Sequence, residues 1–442
     1  MQLAITSKIL KITFNMLILL ALLPTVVCAG YREQRLGVVP QGYQLDTANI
    51  VFTADGSKVA FRVMQGEKVR VLFGDMVSKP YGHVRHVAIS PDGRYVAHNG
   101  TPEPKGHEHE QYLVVNGVET GPFTTVCNPT FTPDSGKVIF EAEHGGKWHH
   151  ALAVIGATVI AAETGGADIH RMLPVISPDG RLVVSIQQQS EAKKSVRLVS
   201  TVEMREVRRR EYDSITDIAY SADRLRTAYV ARRRGETFVV TSSFAGGDER
   251  EGAPFDAIYG LVISDDGAHV AYSALRGEKY LHLIDARESP AAFFCEGLPV
   301  FSRDGRSVVY RAIVDGKSFI AFAGRMISGY DDVSKPALSA DGSILAFVGE
   351  TQGQWRINVN GKETPAYDHV DTLQFTPGDK YLAFRAQKNG NCRMVIVDLQ
   401  GKVLHEGPQF VEIWKPSFDE AGRLGYGALA GNEIWWKVLN LE

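Results

Sequence analysis

A ten-residue segment that returns ten times constrains this 442-residue chain more than any other feature. Its pattern is an apolar residue, Ser or Thr, any residue, Asp-Gly, two further residues, then an apolar triplet. It reads FTADGSKVAF from Phe52, ISPDGRYVAH from Ile89 and FTPDSGKVIF from Phe131. Further copies begin at Ile176, Tyr220, Ile263, Phe301, Leu338, Phe375 and Phe418, at intervals of 37 to 45 residues. A period of this size signals stacked supersecondary units, none of which can bury its apolar face alone. Within the segment, Asp-Gly separates two β-rich apolar runs. That is a hairpin signal, because Gly tolerates positive φ and Asp can bond its own backbone. Six copies keep the pair, at Asp55, Asp92, Asp179, Asp266, Asp304 and Asp341. The flanking strands are strands a and b of each unit.

Two landmarks keep phase with the hairpin. A glycine falls 13 to 15 residues after the start of eight units, from Gly66 to Gly431, and marks a turn from b into a strand c. An aromatic falls eight residues before the start of eight units: Tyr81, Phe123, Tyr212, Phe255, Phe293, Tyr330, Tyr367 and Phe410. It is expected on a strand d of the preceding unit, buried by about 150–250 Å² between neighbouring sheets. Asn116-Gly117 and Asn360-Gly361 read as c-to-d turns. Each unit is thus a four-stranded antiparallel meander. Stacking such sheets radially in a closed ring removes most of their free edge. The sequence therefore predicts an all-β fold, a β-propeller of ten four-stranded blades. The unit from Phe418 shows strands a, b and c only, while a strand-like piece from Leu36 to Asp46 precedes the first a strand. That piece is expected to complete the last blade and close a single ring.

With Ser-Pro-Asp-Gly at Ser90 and Ser177 and near-copies elsewhere, residues 36–442 resemble the bacterial WD-like propeller repeats of the TolB type. The resemblance implies an exported partner-binding protein. Similar propellers also precede the hydrolase domain of prolyl-oligopeptidase-like enzymes. Ten units exceed the usual four to eight blades.

The first residues bear on the compartment. Lys8 and Lys11 precede a charge-free apolar run from Ile12 to Val27, and small residues lead to a cut before Gly30. Residues 1–29 read as a secretory signal peptide and 30–442 as the propeller, which places the protein in the periplasm or outside the cell. A retained anchor is the other reading of the run, and only then would the protein meet a membrane. The formal charge is −3, or −5 without residues 1–29, which hold two lysines and no acid. That balance argues against nucleic acid as a partner. Cys127, Cys295 and Cys392 are an odd set spread over distant units, so all three are expected to be free and mostly buried.

No Gly-x-Ser-x-Gly elbow, His-Glu-x-x-His pair or phosphate-binding Gly-x-x-x-x-Gly-Lys loop occurs. His107 and His109, in a b-to-c insertion of the second unit, could chelate a Zn²⁺ or Cu²⁺ ion weakly from one side of an extended loop. A solvated polar loop is the favoured reading of the pair. Arg205, Arg208, Arg209 and Arg210, followed by Arg232, Arg233 and Arg234, are either a charged outer face or a patch for an anionic polymer or lipid headgroup. The d-to-a links, three to six residues before each start, lead from rim to centre and line one mouth of the ring. Their candidate binding residues are Asp46, His86, Asn128, His170, Asp217, Tyr259, Lys335, Asp371, Trp414 and Lys415. No cofactor is expected. The sequence points to a non-catalytic exported scaffold that docks a protein or anionic polymer through this mouth. The alternative is an envelope enzyme, such as a polysaccharide lyase or metal-dependent lactonase, with its site in the central channel.

Overall fold

The computed structural model describes residues 31–102, 110–145, 147–154, 160–162, 175–190, 193–200, 205–291, 294–295 and 297–441. Among these, every regular element is a strand, and the strands pair into ten antiparallel sheets. Nine sheets hold four strands. The seventh holds five, because Phe294–Cys295 and Val300–Phe301 both pair with Val308–Val314 as two pieces of one interrupted inner strand. Each motif start is the last residue of a strand a: Gln44–Phe52 ends at Phe52, and Glu412–Phe418 ends at Phe418.

The Ser-x-Asp-Gly turn owes its recurrence to one hydrogen-bond arrangement. The Ser90 hydroxyl donates to Asp92 Oδ1 at 2.6 Å and accepts the Tyr95 amide at 2.9 Å. The Ser339 hydroxyl likewise donates to Asp341 Oδ1 at 2.7 Å and accepts the Ile344 amide at 2.9 Å. The same bonds recur at Thr53, Thr132, Ser177, Ser221, Ser264 and Ser302. One hydroxyl thus satisfies the first amide of strand b and anchors the carboxylate that caps the turn. The Asn-Gly pairs of the c-to-d turns are both left-handed, with φ of 45° and 82° at Asn116 and Gly117. The Asn116 side chain also reaches back to accept the Val96 amide at 2.8 Å.

The phased aromatics sit between sheets. Each of seven packs edge-on against the strand b ring that follows it by 16 or 17 residues. Tyr81 meets His98, Phe123 meets Phe140, Tyr212 meets Tyr229, Phe255 meets Tyr272, Tyr330 meets Phe347, Tyr367 meets Phe384 and Phe410 meets Tyr426. Centroids lie 5.4 to 6.4 Å apart and the rings are inclined by 67° to 89°. That is the edge-to-face geometry that the ring quadrupole favours. Phe123 and Tyr330 are half-buried and the other five are buried. Phe293 lies outside the described residues. Phe123 and Tyr212 end their outer strands, whereas Tyr81, Phe255, Tyr367 and Phe410 lie beyond theirs and bridge to strand c alone. Several outer strands are only two residues long, such as Met76–Val77 and Lys362–Glu363, which blunts the exposed edge.

The N-terminal strand differs from its expected bounds. Tyr31–Val38 pairs antiparallel with Glu433–Leu439 as the fourth strand of the last sheet, while Gln44, Leu45 and Asp46 belong to the first strand a. Between them the chain turns at Pro40, with Gly42 at φ 80° and the Tyr43 amide donating to the Pro40 carbonyl at 3.2 Å. The Pro-Gln-Gly sequence carries the turn residues that split the run. The first and last sheets also share an apolar cluster that joins Phe52, Phe61 and Val63 to Leu429, Ile434 and Trp436. Residues 1–29, with the expected leader, lie outside the described residues. Cys127 and Cys392 are free, Cys392 buried and Cys127 half-buried.

Candidate functional site

A meander puts every d-to-a link and b-to-c turn at one end of its sheet and every a-to-b and c-to-d turn at the other. The candidate binding residues belong to the first end, where strand a is bulged. Its register slips between Leu45 and Ile50, Cys127 and Thr130, Ile215 and Ile218, Tyr259 and Val262, Ser334 and Ala337, Asp371 and Gln374, and Trp414 and Ser417. Three residues before the motif start, Asn128, Gly260, Lys335 and Thr372 are left-handed, with φ of 52°, 63°, 48° and 53°. A bulge leaves a residue unpaired and re-aims its side chain. At Gly260 a Cβ would stand 2.8 Å from the Gly297 carbonyl oxygen, so the close approach of the sixth and seventh sheets requires glycine there. Lys335 carries the same conformation with a side chain, at a penalty of about 1–2 kcal/mol.

Most charged groups at this end are engaged. In the first sheet Asp46 forms an ion pair with Arg62, the two side chains only 16% and 12% exposed, and accepts Asn49 Nδ2 at 3.1 Å. The His86 amide donates to Asn99 Oδ1 at 3.0 Å. Its Nδ1 is buried without a hydrogen-bond partner among the described residues. Burial, and then the Arg85 and Arg62 cations, hold the His86 imidazole below its ordinary value, so it is neutral near pH 7. In the third sheet Asn128 Nδ2 donates to Glu141 Oε2 at 3.0 Å. Asp371 meets Arg385 at 3.1 Å, and Arg385 also binds Glu412 and donates to the Ile413 carbonyl at 2.8 Å in the next sheet. Arg311 reaches Asp332 at 2.8 Å and the Val333 carbonyl at 2.6 Å in the same way. Arg62, Arg311 and Arg385 all stand ten residues after their motif start. They pin inner strands in place and leave little charge free for chemistry.

Of the remaining candidates, Asp217 is half-buried, and burial raises its carboxyl above the ordinary value. Trp414 is half-buried; its Nε1 donates to the Thr47 carbonyl at 3.1 Å and its ring lies 6.3 Å from that of Phe52. It is a packing residue of the seam between the last and first sheets. Tyr259 and Lys335 are exposed. Leu298 lies at the same phase as Lys335 and is 65% exposed. A search for polar residues passes over it, although the count of three before Phe301 identifies the position. Lys415 lies in Glu412–Phe418, its side chain outside the described residues, as are His107, His109 and His170 entirely. Among the described residues, no three His, Cys, Asp or Glu side chains gather as a cation site. Part of the basic stretch is paired internally, Arg233 with Glu251 at 2.6 Å and Arg210 with Glu249 at 3.8 Å.

Another regularity escaped the sequence reading. Asp213, Asp256, Asp331 and Asp368 each follow a phased aromatic and accept the amide of Arg234, Gly277, Gln352 and Asn389, at 2.6 to 2.8 Å. An aromatic-Asp dipeptide thus locks these four b-to-c turns, and these carboxylates are structural.

No protein-family model matches the sequence, and no curated protein matches it. Among solved structures, a eukaryotic initiation factor aligns at 11% identity and a TM-score of 0.50, covering 86% of this chain and 92% of that one. The Dos1 propeller aligns at 8% identity and a TM-score of 0.40, covering 92% and 94%. An oligogalacturonate lyase in complex with manganese aligns at 12% identity and a TM-score of 0.35, covering 81% and 96%. At these identities the likeness is one of fold alone. The chain is an all-β protein with the β-propeller fold.

Proposed function

We propose that this chain is an exported, non-catalytic propeller of the TolB type, a single ring of ten blades whose loop mouth docks a protein partner in the cell envelope. One observation carries the docking reading. On three successive sheets the mouth keeps Tyr259, Leu298 and Lys335 exposed, while neighbouring arginines and carboxylates are spent on fastening strands. Apolar and aromatic groups beside a cation, held on a rigid bulged scaffold, suit capture of a protein surface. The Lys335 side chain is presented from a left-handed backbone at the bulge. Ring closure is supported by the pairing of Tyr31–Val38 with Glu433–Leu439 and by the cluster shared between first and last sheets. Export is supported by the pattern of residues 1–29.

The test places a photo-crosslinking amino acid at Leu298 in the native host. A discrete protein adduct is expected, and Tyr259→Ala with Lys335→Glu should abolish it without shifting the unfolding midpoint. Adducts unchanged in that double variant would remove the mouth from the proposal.

A further inference from the structure

The opposite end of the molecule holds a cleft of about 600 Å³ between the sixth and seventh sheets. Its floor is apolar, with Ile284, Val308, Ala321 and Phe322. A buried ring pair borders it, His282 stacked on Tyr310 at a centroid distance of 4.4 Å and an inclination of 24°. His282 Nδ1 lies 3.0 Å from the Ser273 hydroxyl, and burial keeps the imidazole well below its ordinary value, so the stack is uncharged at neutral pH. Met326, 39% exposed, stands at the rim.

The charges around this floor are unequal in availability. Glu288 is held bidentate by Arg276 at 2.7 and 3.0 Å. Asp285 is held by His269 Nδ1 at 2.5 Å and by the Val270 amide at 3.0 Å. Arg287, Arg306 and Arg325 line the same cleft, are exposed, and make no ion pair among the described residues. They come from three separate turns: the c-to-d turn of the sixth sheet and the a-to-b and c-to-d turns of the seventh. The cleft between the fifth and sixth sheets, of about 500 Å³, differs in having fewer such groups: Arg226 is neutralised by Asp248 at 2.8 Å, which leaves Arg250. Three guanidinium groups around an apolar floor make a site for a ligand with an apolar body and an anionic head.

We infer that the cleft between the sixth and seventh sheets binds a small aromatic anion, its ring on the apolar floor at Ile284 and Phe322 and its carboxylate, sulfonate or phosphate on Arg287, Arg306 and Arg325. This site is independent of the mouth proposed for protein docking and lies at the other end of the sheets.

The probe is 8-anilinonaphthalene-1-sulfonate, titrated by fluorescence against the full chain in its native state, with near-UV circular dichroism recorded on the same samples. One saturable site is expected. Arg306→Glu and Arg325→Glu, both at exposed turns, should each weaken it by about tenfold, the loss of one charge-assisted hydrogen bond. Met326→Glu should do the same, and the uncharged N-phenyl-1-naphthylamine should bind more weakly than the sulfonate. Unsaturable binding, or affinity unchanged in the two arginine variants while circular dichroism stays native, would overturn the inference. So would equal affinity for the uncharged analogue.

Discussion

Truncating Tyr367 to Ala tests the packing between sheets where the structure is most explicit. Tyr367 is 2% exposed and belongs to a cluster that unites Val348 and Ile357 of the eighth sheet with Val370, Leu382 and Phe384 of the ninth. Its ring meets Phe384 at 5.6 Å and 75°. Its amide and carbonyl exchange two hydrogen bonds with Trp355 at 2.9 Å each, and alanine keeps both. The loss therefore comes from the side chain alone. Emptying a buried aromatic site destabilises by about 3–5 kcal/mol. Of this, the edge-to-face pair with Phe384 supplies about 0.5–1.5 kcal/mol. Tyr367→Phe is the control. It removes only a long hydrogen bond from the hydroxyl to Glu406 Oε1, at 3.3 Å, worth under about 1 kcal/mol. Equilibrium urea unfolding followed by tryptophan fluorescence reads both, and a double-mutant cycle with Phe384→Ala isolates the pair. If Tyr367→Ala stays within 1 kcal/mol of the parent, or if Tyr367→Phe is as damaging, the aromatic is not what joins these sheets.

Other expectations follow from the same structure. Asp341 is held at about 2 by the Ser339 hydroxyl and the Ser343 amide and hydroxyl. A folded value below the unfolded one stabilises fully above about pH 4 and fades as pH falls toward 2; Ser339→Ala should return the carboxyl toward 3.8, read by NMR titration. Burial puts His98 and His282 at about 4, so their contribution, at most about 3 kcal/mol apiece, is complete above pH 6.5 and lost between 6.5 and 4. Unfolding midpoints measured across that range should fall, and should fall less in His98→Gln. At Gly427 a Cβ would meet the Phe52 ring at 2.3 Å, so Gly427→Val should destabilise the seam between last and first sheets by about 1–3 kcal/mol in urea unfolding. Deleting Tyr31–Val38 uncovers the edge of Glu433–Leu439 and should produce concentration-dependent association by light scattering.

What could be read in advance is whatever repeats at a fixed offset within one unit. The Ser-x-Asp-Gly turn, the left-handed glycines after strand b and the aromatics eight residues before each start are local or nearly so, and each has one physical cause. The mouth was less legible because its chemistry depends on which sheets adjoin. Nothing in the sequence near Arg385 says that it will take Glu412 rather than a ligand, or that Trp414 will donate to Thr47 across the seam. Asp46 and Asp371 were sensible candidates by residue type and position. Their arginines lie in strand b, opposite them across the hairpin, and leave them no free charge to offer. Leu298 is a mouth position of the opposite kind, apolar and exposed.

The unit lengths support the same division between inner and outer parts of the sheet. From each strand b glycine to the next phased aromatic the chain takes 14 residues at Gly316–Tyr330 and Gly353–Tyr367, 15 at Gly66–Tyr81, 16 at Gly277–Phe293, and 20 at Gly235–Phe255 and Gly390–Phe410. From the aromatic through strands a and b the count varies far less. Strands a and b touch neighbouring sheets, so a single inserted residue would turn every later side chain to the wrong face. The outer strand has solvent on one side and tolerates insertion. Variation in repeat length is therefore a map of distance from the packed interior. It predicts that a three-residue insertion after Gly247, in the connection between strands c and d of the fifth sheet, leaves urea stability within about 0.5 kcal/mol of the parent, whereas the same insertion after Asp223 prevents the fold.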